Sequence, residues 1–268
     1  MPEITIFGRY LPGSSLVHRM DPRAKLLLSL FAIVIIFAAQ NFWGLGVCAV
    51  FVAGFFLAAQ IGLRQALRSV GPLFLIVVIT ALFNIFFVQG GTIYFEWAFL
   101  VISEEGIIRA VFIGIRLTLL LLSMSLFTLT TATLDITDAF EYLFAPLARI
   151  GLPAHELSMM LGIALRFLPQ FALELQTIRR AQLSRGANFS GGPFKGGLRM
   201  LSSLMIPLFT SAFRHAETLS AAMDSRCYHG GVGRTRLHPL AYCKLDRNAL
   251  FVFIAMFACV IGTIFLGL

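Results

Sequence analysis

Along this chain, long uncharged apolar runs alternate with shorter charged stretches. Leu26 to Leu63, Ser69 to Phe95, Leu117 to Leu134 and Asn248 to Leu268 contain no Asp, Glu, Lys or Arg. A helix that crosses a bilayer needs about 20 predominantly apolar residues. The first run is long enough for two such helices, with Gln40-Asn41-Phe42-Trp43-Gly44 supplying the turn and an interfacial aromatic. The pattern predicts spans at roughly 25–41, 43–61, 70–88, 109–132 and 248–267. The first 24 residues are polar and include Pro12 and Pro22. They do not read as a cleavable leader, so the first apolar segment is expected to stay as a helix.

Between the fourth and fifth spans the period changes. Asp135-Ile136-Thr137-Asp138 opens a short helix expected to run to about Ala148, with carboxylates in its first turn where the helix dipole favours them. Gly151-Leu152-Pro153 breaks it. Pro153 then starts a long helix whose apolar residues, Leu157, Met160, Leu161, Ala164, Phe167, Leu168, Phe171, Leu175 and Ile178, recur at intervals of three and four. Pro169 is expected to bend it.

A Gly/Pro-rich link, Ser190 to Gly197, leads to a second such helix. Its stripe is Leu198, Leu201, Leu204, Leu208, Ala212, Ala216, Leu219 and Met223, with Pro207 in its middle. At about 1.5 Å per residue each helix is roughly 45–50 Å long. Arg166, Glu174, Arg179 and Arg180 interrupt the first, and Arg199, Arg214, His215 and Glu217 the second. Both are therefore expected to lie under or beside the bilayer rather than to cross it. The fold class is an all-α integral membrane protein of about five transmembrane helices plus long amphipathic cytoplasmic helices. It divides at 1–132, 133–247 and 248–268.

Composition agrees with a lipid environment: 58% hydrophobic, 13% charged, mean hydropathy +0.87. The net charge of +8 is placed unevenly. Arg9, Arg19, Arg23 and Lys25 precede the first span, Arg64 and Arg68 lie between the second and third, and thirteen basic against eight acidic residues fall between 133 and 247. The loop between the third and fourth spans has Glu96, Glu104 and Glu105 and no basic residue. Basic loops mark the cytoplasmic side, which places the N-terminus and 133–247 inside and the C-terminus outside. The charge then needs no nucleic acid, and no reading motif is present. Cys48 and Cys259 fall in spans as small hydrophobes. Cys227, His229, His238 and Cys243 match no compact zinc spacing, so no metal site is expected.

Two arginines stand in matched surroundings, Ser184-Arg185-Gly186 and Ser225-Arg226-Cys227, each at the end of one long amphipathic helix. Taken singly, each is a dipole-matched helix end, with Gly186 and Gly230 suitable as left-handed caps. The repetition favours a further role. A guanidinium with five fixed donors is suited to locking a helix tip into a carboxylate-lined groove. Catalysis is poorly supported, since His155-Glu156 lacks the second histidine of a zinc-protease helix and no Gly-x-Ser-x-Gly or Walker lysine occurs. A secondary carrier is the alternative class, but such carriers place ionisable groups within spans. Only Arg116 lies inside one here, and snorkelling or a structural partner accounts for it.

These features resemble one family along nearly the whole chain: the transmembrane T component of energy-coupling factor (ECF) transporters. The resemblance is carried by Gly13 to Lys25, Leu129 to Asp135, Leu165-Arg166-Phe167-Leu168-Pro169 and Arg214 to Tyr228. The family's two Ala-Arg-Gly-like triplets fall on Ser184-Arg185-Gly186 and Ser225-Arg226-Cys227. The resemblance implies a non-catalytic subunit that joins two cytosolic ABC-type ATPases to a substrate-binding S component for vitamin uptake. Arg185 and Arg226 would anchor the ATPases, with Ser184, Gly186, Ser225 and Cys227 allowing close approach. No cofactor is then expected on this chain, ATP-Mg residing on the partner ATPases. A T component dedicated to cobalt or nickel is the alternative within the same family.

Overall fold

The computed structural model describes residues 10–88, 90, 92–97, 100–144, 154–187, 197–230 and 241–265. Among these lie eight helices and one hairpin. They are α1 (Pro22–Ala38), α2 (Phe42–Ala58), α3 (Leu63–Phe87), β1 (Ile93–Trp97), β2 (Leu100–Ser103), α4 (Glu104–Thr130), α5 (Thr133–Phe144), α6 (Ala154–Ser184), α7 (Gly197–Asp224) and α8 (Lys244–Phe265). Two compact units result: Gly8–Ala139 with Pro239–Leu268, and essentially Phe140–His238. The chain is a helical membrane protein. Four of its described helices, Arg64–Phe87, Glu104–Thr130, His155–Ser184 and Lys244–Phe265, are long and apolar enough to cross a bilayer, and α2 is a shorter apolar helix.

Several boundaries differ from the sequence reading for identifiable reasons. Pro22 occupies the first helical turn and Asp21 accepts from Arg23 N at 2.9 Å, so α1 begins before residue 25. α3 starts at Leu63 rather than 70, because Arg64, Gln65 and Arg68 are good helix formers that a search for uncharged runs discards. Glu104 and Glu105 extend α4 backwards from 109; their charge suits a helix start, and Ser103 Oγ caps Gly106 N at 3.1 Å. Helix α5 starts at Thr133, and the expected end near Ala148 lies outside the described residues, as do Pro153 and most of the Ser190–Gly197 link. Helix α6 satisfies the length and composition of a span, contrary to expectation. Its first eighteen described residues carry only Glu156 and Arg166 as charges, the rest of its polar face lying further on.

The hairpin was not anticipated. β1 and β2 pair antiparallel, with Phe95 opposite Ile102, Glu96 opposite Val101 and Trp97 opposite Leu100, and an irregularity between Ile93 and Phe95. The aromatic and β-branched content of Ile93–Trp97 is a strand signal.

In the bundle unit, α1 packs on α4 and α8, α2 on α8 and α4, and α3 on α4. Each inner face is a helical stripe: Leu28, Ala32, Ile35 and Ile36 on α1; Leu45, Cys48, Val52 and Phe56 on α2; Ala249, Phe253, Met256 and Val260 on α8. Lipid tails are as apolar as these side chains, so tight van der Waals fit rather than water exclusion holds the helices together. Gly44 supports that fit: a Cβ there would meet Ala39 Cβ and Thr263 Oγ1 at 3.3 Å.

One end of the bundle is closed by a polar knot. The Lys25 ammonium donates to the carbonyls of His18 (3.0 Å) and Thr130 (3.1 Å), tying α1 to the end of α4. Asp246 accepts from Asp21 N at 2.9 Å and from Cys243 N at 2.7 Å, tying the start of α1 to the start of α8. His18 Nε2 meets Leu11 O at 3.0 Å and Nδ1 meets Ser15 Oγ at 2.6 Å; Leu11 N donates to Leu129 O at 3.0 Å. Asp21, Arg23, Lys25 and Asp246 are all buried. Removing the Asp246 carboxylate strands two backbone donors at a cost of about 1–3 kcal/mol. Asp246→Ala is therefore expected to lower the thermal unfolding midpoint of the detergent-solubilised protein, and Asp246→Asn, which keeps an acceptor, to recover part of the loss. An unchanged midpoint in Asp246→Ala would contradict the knot's structural role.

Candidate functional site

The two arginine triplets close their helices in the same way. At the end of α6, Ala187 N donates to Gln182 O (3.0 Å) and Gly186 N to Leu183 O (3.0 Å). At the end of α7, Tyr228 N donates to Met223 O (3.1 Å) and Cys227 N to Asp224 O (2.9 Å). This is the Schellman pairing of six-to-one and five-to-two bonds, and in both cases the arginine occupies the capping position itself. The next residue must turn left-handed: Gly186 has φ +84° and Cys227 φ +54°. All six residues of the triplets are exposed. The serine hydroxyls fold back onto their own helices, Ser184 Oγ to Arg180 O at 3.1 Å and Ser225 Oγ to Ala222 O at 3.0 Å. Each guanidinium is thus carried on a helix end whose capping bonds are made within its own segment.

Gly230, expected as the second cap, is not the capping residue. It does have a positive φ of +99°, but it lies three residues beyond Cys227, which turns the chain instead. Glycine is the usual signal for that conformation, and a cysteine there costs on the order of 1 kcal/mol.

Cross-helix contacts fix how the two tips are related. Met159 Sδ accepts from Tyr228 OH at 3.0 Å, Glu174 accepts from Ser211 Oγ at 2.8 Å and His215 Nε2 at 2.7 Å, and Gln182 Nε2 donates to Ser203 O at 3.2 Å. As the number rises on one helix it falls on the other, so α6 and α7 run antiparallel along most of their lengths. Arg185 and Arg226 consequently sit at opposite ends of the pair, roughly 33 Å apart along its axis at 1.5 Å of rise per residue.

The Glu174–His215 bridge lies between them, flanked by the rings of Phe167 at 5.9 Å and Phe171 at 6.0 Å from the imidazole. Glu174 is eleven residues before Arg185, and His215 eleven before Arg226. The bridge was missed in the sequence because residues 41 apart share no periodic signal; the matched offset from the two arginines was the available clue.

At the first end of α6, Glu141 accepts from His155 Nδ1 at 2.9 Å and Ser158 Oγ at 3.0 Å, joining α5 to α6. His155 is thereby a structural partner of Glu141. In the bundle unit, Arg116 donates to Ala39 O and its guanidinium stands 4.6 Å over the Phe112 ring. That carbonyl closes α1, so Arg116 serves as a structural partner within the bundle.

A several-pass helical membrane protein that carries two exposed, identically capped arginine tips on an antiparallel helix pair is thus defined. The family model described as CbiQ, cobalt transport protein, matches residues 13–238. The energy-coupling factor transporter transmembrane protein EcfT of Thermosediminibacter oceani is 42% identical over 98% of both chains. The EcfT of Brevibacillus brevis is 42% identical over 89% of this chain and 90% of its own length, and that of Bacillus subtilis 37% over 96% and 97%. The chain belongs to the EcfT family, the transmembrane components of energy-coupling factor transporters.

The left-handed cap makes a prediction about each tip. A Cβ built on Gly186 meets nothing within 4 Å, so substitution there acts through backbone conformation alone. Gly186→Ala is expected to fray the end of α6, at about 1 kcal/mol. Cys227→Gly should do the reverse at the end of α7. Amide hydrogen exchange across 182–187 and 223–228 reads both changes. Equal protection in wild type and both variants would show that the caps do not set tip rigidity.

Proposed function

We propose that this chain is the coupling subunit of an ATP-driven importer, in which α6 and α7 transmit motion between two cytosolic ABC-type ATPases and a substrate-binding S component. The observation that carries this reading is the pair of exposed arginine tips at opposite ends of one antiparallel helix pair. A single docking motif would serve one partner; two copies at opposite ends serve two. Ser184, Arg185 and Gly186 would seat one ATPase, and Ser225, Arg226 and Cys227 the other. A guanidinium projecting from a capped helix end can form two parallel bonds to a carboxylate in a groove. ATP-Mg would be held by the ATPases, with no cofactor on this chain.

The S component would dock on the lipid-facing apolar surface. Helix α3 exposes Leu73, Phe74, Leu75, Ile76, Leu82 and Phe83. Such a face imposes no fixed hydrogen-bond pattern, which is compatible with exchange among several S components. The exposed apolar residues of α6 and α7, among them Leu161, Leu168, Phe209 and Phe213, suit helices resting against the membrane with their charged faces toward the cytosol. The bias of basic residues supports a cell-membrane protein with its N-terminus and residues 133–247 cytoplasmic. Vitamins are the proposed cargo. Cobalt or nickel is the second reading, favoured by the description of the matching family as a cobalt transport protein.

Three measurements test these points. Loss of one partner of a buried charge pair costs about 2–5 kcal/mol. Arg185→Glu combined with Arg226→Glu is expected to abolish copurification of the ATPases without changing the helical content of this chain. ATPases that remain bound to the double variant would refute the anchoring role. Impermeant thiol labelling from outside should reach a cysteine introduced near Gly91 but not one near Gly192. Outside access at 192 would reverse the orientation. Deletion of the protein should impair uptake of several radiolabelled vitamins together; loss of cobalt or nickel uptake alone would select the second reading.

A further inference from the structure

At the end of the bundle where α1 closes and α2 and α4 begin, an open cavity of about 610 Å3 is lined by Gln40, Asn41, Trp43, Arg109, Phe112 and Arg116, among others. That volume suits a small-molecule headgroup. We infer that this cavity binds the phosphate of an anionic phospholipid in the leaflet opposite the start of α1.

Three sources of positive potential converge there. Arg109 and Arg116 stand seven residues apart on α4, on one face and about 10 Å apart in height. Among the described residues neither guanidinium has a carboxylate within ion-pair distance. The third source is the start of α2. Its N-cap, Asn41, makes no side-chain capping bond to the helix; its amide reaches Thr263 O at 3.4 Å instead. The start of α2 therefore has no cap from the Asn41 side chain, and its residues 41–43 line the cavity, where the helix N-terminus favours an anion.

Arg116 lies inside a membrane-spanning helix. There a cation is costly unless something balances its charge. A backbone carbonyl and a ring face receive it, but neither carries a full negative charge, and its buried Nε has no hydrogen-bond partner among the described residues. A phosphate would supply the missing anion, and guanidinium forks suit it.

A lipid rather than a free anion is indicated by the rest of the lining. Trp43 is 65% exposed beside the polar residues, as expected of an aromatic at the boundary between headgroups and hydrocarbon. Phe112 and Ile113 lie between Arg109 and Arg116 on α4 and line the same cavity, giving a lipid apolar surface beside the two cations. Helix α1 begins in the polar knot at the other end of the bundle, which assigns the leaflet.

The test uses the full-length protein, purified in mild detergent, with native mass spectrometry as the readout. It is independent of the proposed coupling role, because no ATPase or S component is present. Phosphatidylglycerol, phosphatidylcholine and inorganic phosphate are titrated separately. Phosphatidylglycerol is expected to bind about tenfold more tightly than phosphatidylcholine, a preference that Arg109→Gln should remove. Arg109 is exposed and outside the packed core, so that variant keeps its fold. Arg116→Gln should act likewise, with circular dichroism confirming its helicity. Equal binding of the two lipids, or a preference unchanged in Arg109→Gln, would overturn the assignment. Displacement of phosphatidylglycerol by inorganic phosphate at comparable concentration would show a site for the free anion, and would overturn the lipid as its occupant.

Discussion

Hydrocarbon offers no hydrogen bonds, and every backbone group left over at a helix end must be satisfied from within the protein. At several helix ends the bundle meets that constraint with charged side chains turned inward. Lys25 takes the carbonyls of His18 and Thr130, Asp246 takes the amides of Asp21 and Cys243, and Arg116 takes the carbonyl of Ala39. Each of these residues belongs to one helix and closes the end of another. These few bonds join α1 to the end of α4 and to the start of α8, and hold the segment before α1 and the entry into α8. The apolar stripes then need only fit one another.

The second unit is built on the opposite principle. Among the described residues no side chain of α6 or α7 is fully buried, and their cohesion is lateral: a central charge-assisted bridge, a hydroxyl-to-sulfur contact at one end and an amide-to-carbonyl bond at the other. A pair held at three places along its length resists sliding while its ends remain exposed. In the proposed coupling role that combination would link movement at one tip to the other.

Much of this was readable from residue order. Uncharged runs located the bundle helices, and intervals of three and four located α6 and α7 with their polar interruptions. The triplets were visible because they repeat. What escaped was whatever depended on partners distant in sequence or on an exception to local rules. Arg64 and Arg68 hide the first turns of α3, since a charge interrupts the apolar run that marks a span. Cys227 hid the second cap because glycine three residues later looked the better candidate. The antiparallel course of α6 and α7 had no local signature, and without it the tips could be placed on helices but not relative to each other. Likewise Lys25 and Asp246 looked like ordinary flanking charges, and only their backbone partners reveal what they do.

The Glu174–His215 bridge also carries a geometric meaning. Adding 41 to a position on α6 gives its counterpart on α7, which converts Arg185 into Arg226, Glu174 into His215 and Gln170 into Ser211. Ser211 bonds Glu174 and Gln170 approaches His215, so the two contacts exchange under that operation while the central bridge maps onto itself. A local pseudo-dyad therefore passes through the bridge, perpendicular to the helix pair. A single asymmetric chain thereby displays two symmetry-related ends. A pair of subunits arranged about their own two-fold axis could meet it axis upon axis, each finding an arginine at the same distance from the centre.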